Sequence, residues 1–385
     1  MKPDFSWRGE EIYLDNAATT MVDPEVVDAM QPFLEERYGN PETMYGLGRE
    51  ANDAVEDARS AVAELLGCTS EELFFTSGGT EANNWAIKGF VAGVDGVMVG
   101  SVEHASVIEP AKWRCKNAPY FEVPVDEFGG VMLDVMEEEL KKGNYGLVSI
   151  QYGNNEVGTV HDLVGVAELC RKYKVMFHCD AVQAFGKVRF DVDDVGADMV
   201  SLSAHKIHGP VGIGALYVKK GTRLEPLLHG GGHESGMRSG TLAVHQIVGF
   251  GKAVRLADES ITRDMPRISQ MVDAMASDMV MRVQAKRQGH PTRRLPHILS
   301  MTVPGLDVGL ACGMMSSKYG ICASGGAACS TRLRSSHVLE AMGMKSDAGH
   351  TIRVSMSRYT KPGDSSMFVS RLQAVVRDAA RMELV

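Results

Sequence analysis

No CxxC pair occurs among the seven cysteines, at positions 68, 115, 170, 179, 312, 322 and 329. Their spacing offers no recognised zinc or cluster pattern, so no intrinsic metal site is expected. Basic residues are also in deficit. Forty Lys and Arg stand against 49 Asp and Glu, a formal charge of −9, which disfavours a nucleic-acid surface. No apolar run reaches membrane-spanning length, and the opening MKPDFSWRGEEIYLD has none of the regions of a signal peptide. These absences predict a cytoplasmic protein with reduced thiols and no membrane contact. Internal repeats and low-complexity segments are missing as well.

What remains is an ordinary globular composition, 44% hydrophobic and 23% charged over 385 residues, long enough for two domains. The 23 methionines read as core filler. Cys170, in a helical pattern, and Cys179, at the end of an apolar strand, read as small hydrophobes. Asp23-Pro24 caps and opens a helix, and a second helix, at about 49–66, ends at Gly67. Apolar runs at 73–75, 97–99, 147–150, 175–177 and 199–202 then read as buried strands, several of them separated by helix-length segments. That is an α/β pattern with a parallel sheet. A long polar helix pattern runs from near Gly251 towards Met281, followed by the basic KRQGHPTRRLPH and a strand at 298–303. With the boundary placed near 255, residues 15–255 form a large cofactor-binding domain with a mainly parallel sheet. Residues 1–14 and 256–385 form a smaller α+β domain, with strands near 298 and 352 and a closing helix from about 363.

Each of the five strands is followed by a polar group of residues: Ser77-Gly78-Gly79-Thr80, Glu103-His104, Asn154-Asn155, Asp180 with Gln183, and Ser203 with His205-Lys206. In open α/β sheets ligands bind beyond the carboxyl ends of strands, so five segments point to one crevice. SGGT followed by an amphipathic helix suits a phosphate, although the same residues make an ordinary cap. Lys206 lies in a segment nearly free of charge, SAHKIHGPVGIGALYV, where a low-dielectric pocket turns an amine into a Schiff-base nucleophile. Asp180 can keep a pyridine nitrogen protonated or cap the following turn. His104 is either a ring-stacking group or a satisfied core histidine.

In this order the motifs YLDNAATT, TSGGTEANN, EH, NNEVG, HCDAVQ, SAHKIHGPVGIGALYV, GGGHESGMRSGT, ASGGAACSTR and IRVSMSRYT resemble the cysteine desulfurases of the NifS and IscS type. These belong to the class V aminotransferases, and the resemblance runs through almost the whole chain. It implies a fold-type I pyridoxal 5′-phosphate enzyme, a homodimer with active sites at the subunit interface. It makes Lys206 the Schiff-base lysine, Asp180 the partner of the pyridine nitrogen and His104 the stacking ring. Gln183 and Asn155 approach the phenolic oxygen, while Gly79, Thr80, Ser203 and His205 hold the phosphate. Thr241 supplies a phosphate ligand to the other subunit, and Arg353, with Asn155, binds the substrate carboxylate.

Cys329 decides the reaction that the resemblance implies. The Lys206 amine removes the α-proton of L-cysteine, the Cys329 thiolate attacks the substrate sulfur, and alanine leaves a persulfide behind, with His104 or His205 as proton donor. Arg332 and Arg334 are candidates to activate the thiol or to face water. The usual loop is closer to SSGSAC; Ala323, Gly326 and Ala327 depart from it and leave the nucleophile in place. Two other readings stand beside this one. The first is a selenocysteine lyase or related enzyme that does not use Cys329. The second is a non-catalytic sulfur or iron–sulfur binding module. The acceptor, whether an iron–sulfur scaffold protein with Cys329 as a transient cluster ligand or a tRNA thiolation partner, is not written in the motifs. The basic stretch around Arg287, Arg293 and Arg294 reads as a solvated charge run.

Overall fold

The computed structural model describes residues 11–325 and 336–382. Among these residues the strands are β1 (Ile12–Tyr13), β2 (Leu73–Thr76), β3 (Gly96–Gly100), β4 (Tyr120–Val123), β5 (Tyr145–Ser149), β6 (Met176–Asp180), β7 (Met199–Ser203), β8 (Gly214–Val218), β9 (Lys286–Arg287), β10 (Ile298–Thr302), β11 (Ile321–Cys322) and β12 (Thr351–Ser355). Seven form one sheet in the order β2-β8-β7-β6-β5-β3-β4. Only β8 runs against its neighbours, pairing antiparallel with both β7 and β2. Two reversals restore the direction, so β2 ends on the same edge as β3, β5, β6 and β7. All five polar groups therefore meet on one side.

The inner strands β3, β5, β7 and β8 are buried on both faces, as expected where helices cover a parallel sheet. Alternation assigns Val97, Leu147, Met199 and Leu216 to one cluster with Trp85 and Val107, from the helices Gly79–Gly89 and Ala105–Arg114. Met98, Val148, Val200 and Tyr217 face the other way, towards Val62, Val166 and Phe250 from the helices Gly46–Leu66, Leu163–Tyr173 and Val244–Arg263. Cys170 and Cys179 are buried in this second cluster, and burial pushes both thiols up. β4 was not evident in the sequence, because it is a half-exposed edge strand with polar Glu122 inside it.

The helical pattern from 251 to 281 resolves into two helices, Val244–Arg263 and Met265–Val283. Pro266 lies in the first turn of the second, where its missing N–H breaks no helical bond. Arg255 falls inside the first helix, and the change of hydrophobic cluster comes between Ala257 and Met265. The later cluster packs the three-stranded sheet β12-β10-β9 against the helices Met265–Val283 and Pro362–Met382, and takes in Ile12 and Leu14. β1 pairs in parallel with β11. In the basic stretch Arg287 pairs with Asp273 at 2.8 Å, and the Arg294 guanidinium donates to the carbonyls of His290 and Ile298.

The long helices Gly46–Leu66 and Val244–Arg263 approach closely at Gly251. A Cβ there would lie 2.7 Å from both Cα and Cβ of Ala58. Gly313, inside the helix Val308–Tyr319, has open space around it. Gly to Ala in a helix interior ordinarily stabilises by about 1 kcal/mol, and overpacking costs roughly 1–3 kcal/mol. Gly313→Ala is therefore expected to raise the urea midpoint and Gly251→Ala to lower it.

Candidate active site

A cavity of about 1080 Å³ opens at the strand ends. At one end Gly78 takes φ 144° and ψ −179°, a conformation that favours glycine. A Cβ on Gly79 would meet Val182 at 2.8 Å, and Gly78 itself presses against Gly214. The chain thus turns tightly into the helix Gly79–Gly89, whose first amides have no helical acceptor. Glu81, in that first turn, accepts from the Ser77 amide at 2.7 Å and is gripped on both oxygens by Arg238 at 2.8 and 3.0 Å. Burial alone would raise this carboxyl, but Arg238 and Ser77 hold it below its ordinary value. Its charge is therefore compensated at a helix end suited to another anion. Gly79, Thr80 and Ser203 line the cavity here.

Asp180 closes β6. One oxygen caps the following turn through the Val182 amide (3.0 Å), and the other accepts from Asn83 at 2.7 Å. Asn83 donates as well to Ser106 Oγ at 2.8 Å, and that hydroxyl lies 2.8 Å from His104 Nδ1. His104 Nδ1 accepts the Ser106 amide as the cap of the helix Ala105–Arg114. That bond fixes the ring against the cavity with its Nδ1 unprotonated. One chain of hydrogen bonds thus links the carboxylate to the imidazole. Neither Asn83 nor Ser106 had been singled out in the sequence, although Asn83 stands in TSGGTEANN. Glu103, fully buried beside them, accepts from the Gln151 amide at 2.7 Å. Burial, reinforced by Asp180, pushes its carboxyl well above the carboxylate range.

Lys206 sits in the connection between β7 and β8. Its Nζ donates to the carbonyls of Ala17 and Ala18, each at 2.7 Å, so YLDNAATT forms the opposite wall. Gln183 Nε2 also donates to Ala17, at 2.9 Å, while its buried Oε1 has no protein partner among the described residues. Burial, then Lys206 and Lys187, lowers His205 to about 4. Lys187, a fully buried second lysine not anticipated from the sequence, is lowered to about 7 by burial and then by Lys206. Burial thus disfavours positive charge on both His205 and Lys187.

Asn154 braces its turn by accepting from the amides of Glu156 and Val157, whereas Asn155 lines the cavity. Arg353, 2% exposed, reaches the cavity from β12 and donates to the Asn155 carbonyl at 2.8 Å and to Asp15 at 2.7 Å. Thr241 is exposed and does not line the cavity of its own chain. Cys329, with Arg332 and Arg334, lies outside the described residues. On either side of it in the sequence, Ser324 is bonded to Asp15 at 3.0 Å and Ser336 to Glu156 at 2.6 Å. Among the described residues no group of three His, Cys, Asp or Glu is placed to hold a metal, and no helix is long and apolar enough to cross a membrane. The donor set does fit an aromatic aldehyde phosphate: an amine, a carboxylate, an imidazole, an unsatisfied amide oxygen and a glycine turn at a helix start.

Residues 12–367 match the family Aminotransferase class-V. The cysteine desulfurase IscS of Dictyoglomus turgidum is 38% identical over 95% of this chain and 94% of its own length. Among solved structures, a NifS-like protein superposes with a TM-score of 0.87 at 36% identity, covering 95% of this chain and 99% of that one. SspA in complex with cysteine gives 0.79 at 30%, covering 91% and 100%.

The raised Glu103 carboxyl has a measurable consequence. Unfolded, it ionises near its ordinary 4.5; native, it keeps its proton well above that. The native state then binds the extra proton, so this group's contribution to stability falls as pH rises through the interval. Glu103→Gln removes the contribution. Denaturation of both proteins at about pH 5 and about pH 8 should show the variant gaining relative to the parent at the higher pH.

Proposed function

The chain belongs to the aminotransferase class-V family, and from that membership we propose that it is a pyridoxal 5′-phosphate-dependent cysteine desulfurase. L-cysteine and the Cys329 thiol become L-alanine and a Cys329 persulfide: the substrate C–S bond breaks, an S–S bond forms, and the carbon takes up a proton. The observation that carries this reading is the meeting of Lys206, Asp180, His104 and Arg353 in one cavity, in a chain 38% identical to a cysteine desulfurase along nearly its full length. The cofactor supplies an electron sink for the substrate's α-carbon.

The protein's own groups bind, orient and move protons. Lys206 holds the cofactor and shuttles the α-proton, and Asp180 takes the ring nitrogen. His104 stacks and, with His205, is a candidate proton donor. Gln183 and Asn155 approach the phenolic oxygen, while Gly79, Thr80, Ser203 and His205 hold the phosphate. Arg353 and Asn155 receive the substrate carboxylate, for which a fixed bidentate donor is suited.

The homodimer is part of the same proposal, with Thr241 completing the partner's phosphate site. The exposure of Thr241 supports it, as do the large exposed apolar side chains Tyr38, Met44, Tyr45 and Val211. So is the division into a cofactor-binding unit and a smaller unit, which the change of hydrophobic cluster near Asp264 supports. Persulfide passes from Cys329 to an iron–sulfur scaffold or a tRNA-thiolation acceptor, in a cytoplasm that keeps the thiol reduced.

Two variants test the reading. Lys206→Ala should lose borohydride trapping of the cofactor, with alanine formation falling by about 10²–10⁴-fold. Cys329→Ser should still bind cofactor and L-cysteine but form no labelled persulfide. Alanine and sulfide released by Cys329→Ser at the parent rate would refute the role of the thiol.

A further inference from the structure

Asp15 belongs to YLDNAATT, yet none of the roles above uses it. Its backbone is held between two strands: Leu14 donates to the Cys322 carbonyl (2.9 Å), Ser355 donates to the Leu14 carbonyl (2.7 Å), and Asn16 donates to the Ser355 carbonyl (3.3 Å). The carboxylate is thereby fixed in place. Its Oδ1 accepts from Arg353 Nη2 at 2.7 Å and from Ser324 Oγ at 3.0 Å, and Nη2 donates to the same Ser324 Oγ at 3.0 Å. Three groups form a closed triangle. Backbone bonds pair Ser324 and Arg353 in both directions, at 3.3 and 2.7 Å. Arg353 Nη1 is held separately by the Asn155 carbonyl.

Arg353 lines the cavity, and Asp15 is absent from its lining. The carboxylate therefore grips the guanidinium from outside the space a ligand would enter. A planar guanidinium held at both terminal nitrogens has its rotation settled before any ligand arrives, which lowers the ordering cost of binding. The negative charge also compensates a cation that is 2% exposed.

We propose that Asp15 is a positioning residue for substrate recognition: it holds Arg353 in the orientation that receives the α-carboxylate of the amino-acid substrate, with Ser324 as the third member of the device. The proposal rests on the reading of Arg353 as the carboxylate-binding residue and extends it to the group that aims it.

The test uses the cofactor-loaded enzyme and two ligands, L-cysteine and cysteamine, which lacks the carboxylate. Asp15→Asn keeps the shape and an acceptor but removes the charge; it should raise KM for L-cysteine about tenfold, with kcat changed by less than about threefold. Cysteamine affinity, read from the change in cofactor absorbance, should stay within about twofold. Ser324→Ala, which leaves the ion pair intact, should give the same pattern at about threefold in KM and serves if Asp15→Asn fails to fold. Arg353→Lys is run alongside. A raised KM for Arg353→Lys with an unchanged or lowered KM for Asp15→Asn overturns the role of Asp15 while leaving the clamp standing. Equal losses for cysteine and cysteamine in Asp15→Asn overturn it too, because they mark general structural damage. An unchanged KM in Arg353→Lys removes the clamp itself and the proposal with it.

Discussion

A buried guanidinium must have acceptors, and meeting that demand at Arg353 joins three parts of the chain that are remote in sequence. Asp15 comes from the N-terminal segment, the Asn155 carbonyl from the turn after β5, and Ser324 from the end of β11. The residue on β12 thus fastens the smaller sheet and the N-terminal strand to the rim of the large one. Leaving such a cation without partners would cost several kcal/mol. The same bonds decide where the wall of the crevice stands.

Charge inside the crevice is managed by a second set of constraints. Lys206 donates to two carbonyls, and its neighbours Lys187 and His205 are both shifted towards their neutral forms by burial. On the far side burial, reinforced by Asp180, pushes the Glu103 carboxyl well above its ordinary value. Asp180 is braced by Asn83. Burial thus disfavours positive charge on Lys187 and His205 and negative charge on Glu103.

Much of this was legible from local pattern. The five strands and their polar ends were readable because apolar runs bounded by Gly, Asn and Asp have few other solutions, and their common side followed from the rule for open sheets. Asn83, Ser106, Lys187 and Asp15 were not readable. Asn83 and Asp15 work through partners distant in sequence: Asn83 and Asp180 are 97 positions apart, and Asp15 and Arg353 are 338. Lys187 resembles any surface lysine until the turn after β6 is seen to bury it. The helix break at Pro266 was written in the sequence but masked by a hydrophobic period that continues on both sides of it.

By itself the sequence determined the α/β class, the strand ends that carry chemistry, and the placing of an amine at 206 and a carboxylate at 180 at two of those ends. Those properties depend on residue type and on short-range periodicity. Only the tertiary structure decided that reversal of β8 sets β2 on the shared edge, that Asp180 speaks to His104 through two intermediaries, and that Asp15 stands behind Arg353. Side-chain pairing across hundreds of residues is set by packing and by the cost of burying unpaired charge, which no local window of sequence contains.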